Sequence, residues 1–254
     1  MTRALVTGAT AGLGRGFARA LAERGHDLIL VARTAERLDE LAAELRADFR
    51  VDAVAVPADL ANRADVDRVA RILADPESPV EILVNNAGFG IEDSFLHSDV
   101  ADEQAMIDVM VTAVMRLSHA ALPGMVARGS GRLINVSSVA GWITGSTYSA
   151  AKSWVTVFTE GLSGELSGTG VAATAVCPGF THTEFHERAS MDMAGIPGVL
   201  WLDVDDVVSQ ALRDSDKGRL ISVASRRYGA LSLMAQYLPR PLVREVGARR
   251  ARQR

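Results

Sequence analysis

The sequence predicts a single-domain α/β fold, a doubly wound parallel sheet of about seven strands with helices on both faces. Three observations point there. Short apolar runs alternate with longer amphipathic stretches along most of the chain. The short runs are rich in β-branched residues and apolar at successive positions, as suits strands covered on both faces. The 254 residues, 48% hydrophobic and 23% charged, suffice for one sizeable core and exclude a chain that stays disordered.

Ala4–Val6 opens the sheet, and Leu13–Arg24 reads as the first helix, with Gly25 where a left-handed cap would end it. Asp27–Ala32 is the second strand. Ala35–Phe49, filled with Ala, Leu, Glu and Arg, is the second helix. The alternation continues through strand Val51–Val56, helix Asn62–Leu73, strand Val80–Val84, helix Asp102–Arg128 and strand Arg132–Val136. Helix Tyr148–Leu166 and strand Val171–Val176 follow, and Arg219–Val223 reads as a seventh strand. Such a succession folds with right-handed crossovers. Residues 1–225 form one catalytic unit in this reading. Within it Thr181–Leu202 has methionine, glycine and proline but no period, and is expected as a substrate lid beyond the carboxyl ends of the strands. Residues 226–254 form a basic extension, read as a solvated tail, with a surface for anionic lipid or substrate as the sharper alternative.

Composition excludes several roles. A net charge of −4 gives no electrostatic reason for a nucleic-acid partner. The single cysteine, Cys177, builds no disulfide framework and suits a reducing compartment. No apolar run free of Asp, Arg or Glu approaches the ~18–20 residues that span a bilayer. Ala4–Val6, directly after Met1–Arg3, is too short for a secretory signal. The expected location is cytoplasmic.

The first strand runs into Thr7-Gly8-Ala9-Thr10-Ala11-Gly12-Leu13-Gly14 and then a helix. Gly8, Gly12 and Gly14 let the backbone turn tightly and approach a pyrophosphate, and the helix start supplies unpaired N–H donors for that anion. This is the signature of a Rossmann-type sheet, although the spacing is Gly-x-x-x-Gly-x-Gly rather than Gly-x-Gly-x-x-Gly. The second strand ends at Ala32-Arg33, where an acid would bind a ribose 2′-hydroxyl; Arg33 suits a 2′-phosphate and favours NADP over NAD.

Tyr148-Ser-Ala-Ala-Lys152 puts a phenol and an ammonium on one helix face, and a nearby cation is expected to lower the phenol's pKa towards neutrality. Ser138 ends the fifth strand at the same sheet edge, where its hydroxyl can donate to a substrate oxygen. Taken one at a time, these motifs also fit a tight turn, a surface pair and a capping serine.

Together, Thr7–Gly14, Asp59, Asn85-Asn86-Ala87-Gly88, Ser138, Tyr148/Lys152 and Pro178-Gly179 with Thr183 resemble the short-chain dehydrogenase/reductase family over residues 3 to 183. The resemblance implies an NADP(H)-dependent oxidoreductase interconverting a carbonyl and an alcohol. In it Thr10 and Leu13 join the glycines around the cofactor, Asp59 and Leu60 flank the adenine, and Asn86, Ala87 and Gly88 support cofactor and sheet. Lys152 would hold the nicotinamide ribose with Tyr148 also at the cofactor, and Pro178, Gly179, Thr181 and Thr183 would contact the nicotinamide. Tyr148 would be the general acid and Ser138 the polarising group. It also implies a homodimer or homotetramer formed through Asp102–Arg128 and Tyr148–Leu166.

Two departures stand out. Met110 falls where the family has an asparagine that holds a water in the proton relay, and a thioether neither donates nor accepts well. The Ser138-to-Tyr148 gap is shorter than usual, trimming Val139–Thr147 beside the substrate. Met110 keeps a second reading open, a cofactor-binding scaffold or regulator with weakened catalysis. An epimerase or dehydratase is disfavoured by the short single domain and the glycine spacing. Gly141, Gly145, Ser146 and Met191–Leu202 suggest an apolar or lipid-like carbonyl substrate, and Tyr237-Leu238-Pro239-Arg240 is similar to some long-chain 3-oxoacyl reductases. His182 and His186, beside Glu184 and Glu187, are read as lid residues, with no metal expected. Cys177 reads as buried and inert, Trp154 and Trp201 as core or pocket wall, and Trp142 as a substrate contact.

Overall fold

A computed structural model of the chain describes residues 2–91, 93–183, 197–225 and 227–230. Its centre is a seven-stranded sheet in the order β3-β2-β1-β4-β5-β6-β7. The strands are β1 Arg3–Thr7, β2 Asp27–Ala32, β3 Ala53–Pro57, β4 Val80–Asn85, β5 Gly131–Val136, β6 Val171–Val176 and β7 Ile221–Ser222. Every neighbouring pair is parallel.

The continuous apolar strands have a direct physical reason. Successive side chains point to opposite faces, and each face has its own core. Ala4, Val6, Leu28, Leu30, Val84 and Ile134 pack with Phe17, Leu21, Leu41 and Val208. Leu5, Ile29, Val31, Leu83 and Leu133 pack on the other side with Val69, Met106, Leu117 and Met125. The first core is roofed by α1 Gly12–Glu23, α2 Ala35–Phe49 and a helix at Val204–Asp216 that closes the fold. The second is roofed by α3 Arg63–Leu73, α4 Val100–Ile107, α5 Ala113–Arg128 and α6 Thr147–Glu165. Val204–Asp216, here α7, falls in a stretch to which the sequence reading gave no element.

Most ends agree to within one residue, and three elements depart further. β3 begins at Ala53 rather than Val51, because Arg50 takes a left-handed conformation at the end of α2 and Asp52 N–H bonds the Asp27 carboxylate at 2.8 Å. β7 shrinks to two residues, since Arg219 N–H still bonds Asp214 O at the end of α7. The helix expected over Asp102–Arg128 is interrupted by a π turn at Asp108–Thr112. By length and composition Val100–Arg128 is apolar enough to cross a membrane, which the sequence reading did not foresee. Nearly half of its most apolar window (44%) is buried inside the protein, against the sheet and α3.

The sheet order reverses between β1 and β4, and ligands of such folds bind outside the carboxyl ends of the strands at that point. The glycine turn leaves β1 there and Asn86-Ala87-Gly88 leaves β4.

Candidate active site

The glycine turn is held from below. Asn86 Nδ2 donates to Thr7 O at 2.9 Å and Gly8 O at 3.3 Å, while Thr7 Oγ1 accepts the Asn86 and Ala87 N–H groups at 2.9 and 3.1 Å. A Cβ at Gly14 would lie 2.0 Å from Gly8 O, so no other residue closes this turn. The helix that follows starts without a side-chain cap at Ala11 and without an acid in its first turn. By contrast α3 and α4 are capped by Asn62 and Asp99 and carry Asp65, Asp102 and Glu103 in their first turns. Uncapped N–H donors at an acid-free helix start fit a dinucleotide pyrophosphate. At the end of β2, Arg33 is exposed, and Arg37, in the first turn of α2, donates to Thr10 O at 3.3 Å. Arg33 and Arg37 thus both stand at the end of β2 beside the glycine turn. Asp59 Oδ1 accepts Ala61 N–H at 3.0 Å in the turn after β3, and Leu60 is buried against Val66 and Val69.

The chemistry-bearing side chains come from the end of β5 and the start of α6. Ser138 opens a short 3-10 turn, its Oγ accepting Ala140 N–H at 3.1 Å, and it hydrogen-bonds Tyr148. Tyr148 sits in the first turn of α6, capped by Ser146, whose Oγ accepts Ser149 N–H at 3.4 Å. Lys152, one turn on, is 5% exposed and its Nζ donates to Val136 O at 2.8 Å.

The expected acidification of Tyr148 by Lys152 is not what the structure gives. Nζ stands over the phenol ring, 5.7 Å from its centroid, and is tied to the Val136 carbonyl. Burial pushes the Tyr148 phenol up to about 12, with the Ser138 hydrogen bond opposing it, and lowers Lys152 to about 8. Desolvation outweighs the Ser138 hydrogen bond, which keeps the phenol protonated at neutral pH.

A family model described as short chain dehydrogenase matches residues 2–194. The chain belongs to the short-chain dehydrogenase family. It is 41% identical over 186 residues to sulfoacetaldehyde reductase 2 of Chromohalobacter salexigens, covering 71% of this chain and 73% of that one. It is 37% identical over 193 residues to a 3-oxoacyl-[acyl-carrier-protein] reductase of Synechocystis, covering 74% and 78%. A short-chain dehydrogenase from Sphingobium yanoikuyae in complex with NADPH superposes with a TM-score of 0.85 at 36% identity, over 93% of this chain and 94% of that one. The protein is therefore a nicotinamide-dependent oxidoreductase acting on a small molecule.

In this dehydrogenase Met110 lies within the π turn, 1% exposed. A Cβ placed on Gly88 would be 3.0 Å from the Met110 sulfur and 3.6 Å from Lys152 Nζ, so Met110, Gly88 and Lys152 converge. Pro178 O accepts Val139 N–H at 3.0 Å, and the Thr183 side chain comes within 3.1 Å of a Cβ built on Gly12. The Pro178–Thr183 segment thus reaches back to the glycine turn. His182 stacks on Trp201, centroids 4.6 Å apart, and Trp154 stacks on Phe158 along α6. Cys177 is buried and its thiol is pushed up to about 12, as an inert core residue. Among the described residues no group of three or more His, Cys, Asp or Glu could hold a metal ion. His186, Glu184, Glu187, Met191 and Tyr237–Arg240 lie outside the described residues.

The sequence reading missed Arg37 and Tyr228. Arg37 carried a findable signal, standing four residues after Arg33 at the start of a helix. Tyr228 belongs to the stretch read as a solvated tail, yet it is buried.

Proposed function

We propose that this dehydrogenase uses NADPH to reduce a ketone or aldehyde to an alcohol, with Tyr148 as proton donor. The observation that carries this is the Tyr148 phenol hydrogen-bonded to Ser138 with Lys152 Nζ over its ring, at the carboxyl edge of the sheet. The bound nicotinamide would supply the hydride to the carbonyl carbon. Ser138 would donate to the carbonyl oxygen and orient it, and Tyr148 would give that oxygen its proton. Lys152, one turn along α6, would hold the nicotinamide ribose and, as a cation, stabilise the phenolate left on Tyr148 once its proton has passed to the carbonyl oxygen. Gly8, Thr10, Gly12, Leu13 and Gly14 would hold the pyrophosphate, Asp59 and Leu60 would flank the adenine, and Asn86, Ala87 and Gly88 would brace the site. Pro178, Gly179, Thr181 and Thr183 would face the nicotinamide. Arg33 and Arg37 support preference for the 2′-phosphate. Trp142 and the trimmed Val139–Thr147 loop support an apolar substrate.

A cytoplasmic homo-oligomer through α5 and α6 completes the reading. Met115 and Val157 are exposed on those helices, as an apolar interface requires. Titration with each cofactor tests the assignment: NADPH should bind at least tenfold tighter than NADH, the scale set by charge-assisted contacts to one phosphate. Tighter NADH binding overturns it. The Met110 contact favours one second reading, a cofactor-binding scaffold whose proton relay is impaired. If Met110→Asn and the wild type both bind NADPH yet reduce no carbonyl, the scaffold reading replaces catalysis.

A further inference from the structure

Two stems, Gly179–Thr183 and Val199–Leu202, meet in one backbone bridge among the described residues. Leu202 N–H donates to Phe180 O at 2.8 Å and His182 N–H to Leu202 O at 3.0 Å, forming a single bridge between Thr181 and Leu202. A side chain from beyond the expected domain end completes the junction. Tyr228 is 5% exposed, and its hydroxyl accepts Phe180 N–H at 3.1 Å while donating to Leu200 O at 2.7 Å. One oxygen therefore ties the outgoing stem to the returning one. The ring presses on Gly179, where a Cβ would lie 2.0 Å from Cζ, so a side chain at 179 would expel it. The adjacent Arg227 donates to Val199 O at 3.3 Å.

We infer that Tyr228 is a positioning residue, a clasp whose hydroxyl fixes the two stems to each other and so sets Gly179–Thr183 against the glycine turn. A hydroxyl suits this point because it accepts and donates at once, whereas an apolar ring would leave Phe180 N–H and Leu200 O without these partners. The clasp itself stands on the contacts above. Its effect on cofactor grip rests on the proposed role of Pro178–Thr183.

Tyr228→Phe keeps the ring on Gly179 and removes only the hydroxyl. In the cofactor-free protein, amide hydrogen exchange at Gly179–Thr183 and Val199–Leu202 should quicken about tenfold, the scale of one lost hydrogen bond. Exchange in β1 and β2 should not change. The Kd for NADPH and the KM for a carbonyl substrate should each rise about fivefold. The pH profile of kcat should keep its shape, because Ser138, Tyr148 and Lys152 are untouched. Unchanged exchange in both stems, or equal acceleration throughout the sheet, overturns the clasp. If the wild type binds no NADPH, the functional reading fails while the exchange result still decides the clasp.

Discussion

The two walls of the cleft are built in different ways. The wall that carries Ser138, Tyr148 and Lys152 is tied into the sheet by buried hydrogen bonds. Lys152 O accepts from Ser137 Oγ at 2.7 Å and Thr156 Oγ1 at 3.2 Å, and Lys152 Nζ reaches Val136 O. Further along α6, Asn135 Nδ2 donates to Thr159 Oγ1 at 2.9 Å, and Asn85 Nδ2 continues the chain to Asn135 Oδ1 at 2.9 Å and Ser118 at 3.2 Å. Among the described residues, the opposite wall, Pro178–Thr183 with Leu200–Leu202, is joined by one backbone bridge, the Val139 N–H bond to Pro178 O, the His182–Trp201 stack and the Tyr228 hydroxyl, with no buried side-chain network into the sheet like that of α6. The difference separates two demands. In the proposed reaction the first wall would carry proton transfer, which needs groups fixed on rigid elements, and the second would face the cofactor and substrate.

The largest expected effect breaks the rigid wall at its reacting group. Tyr148→Phe should lower kcat by about 10²–10⁴, the range for losing a general acid, and leave the Kd for NADPH within about twofold. Steady-state kinetics with fluorescence titration checks both, and a surviving kcat would remove Tyr148 from the chemistry. Next comes the fixing of that wall. Ser137→Ala with Thr156→Val strips the hydroxyls from Lys152 O and should cost about 1–3 kcal/mol, or roughly 2–10 °C in Tm, more than Tyr228→Phe. A smaller loss than that of Tyr228→Phe, read by thermal denaturation, would reverse the comparison.

A pH effect follows from Lys152. Burial lowers its pKa from 10.5 to about 8, so between those values the unfolded chain holds more protons than the folded one. Stability therefore rises with pH across that window. Lys152→Met lacks this gain, so the Tm difference between wild type and variant should shift in favour of the wild type from pH 8 to 10.5. Melts over that range check it, and a constant difference would deny that the ammonium is desolvated. The same deprotonation should make carbonyl reduction fall above about pH 8. The smallest effect is a gain: Met110→Asn should raise kcat a few-fold by restoring a polar group beside Lys152, as steady-state rates would show.

Most of the fold was legible because its signals are local. The glycine turn, the apolar strands and the Tyr148/Lys152 spacing each lie within a few residues, and the structure brings Gly8–Gly14, Asn86–Gly88, Ser138, Tyr148 and Lys152 to one sheet edge. α7 had a readable signal too, with Asp205 and Asp206 in its first turn, Val207, Val208, Ala211 and Leu212 on one face, and Lys217-Gly218 after it. The π turn at Asp108–Thr112 had none, since neither Gly nor Pro interrupts that stretch. The sign of the Tyr148 shift was misjudged because spacing reports a neighbouring cation but not desolvation. Tyr228 escaped because its partner Phe180 is 48 residues away, and composition alone made its surroundings look like tail.

In the proposed reaction Tyr148, on the rigid wall, completes hydride reduction of a carbonyl by giving up its proton. This is tested most directly by incubating the protein with NADPH carrying deuterium at the transferring carbon and a panel of apolar ketones and aldehydes. Mass spectrometry of the products then reads the transfer. Deuterium on the former carbonyl carbon with the wild type, and its loss with Tyr148→Phe, is the predicted result. NADPH binding without label in any product, or equal labelling by Tyr148→Phe, would contradict it.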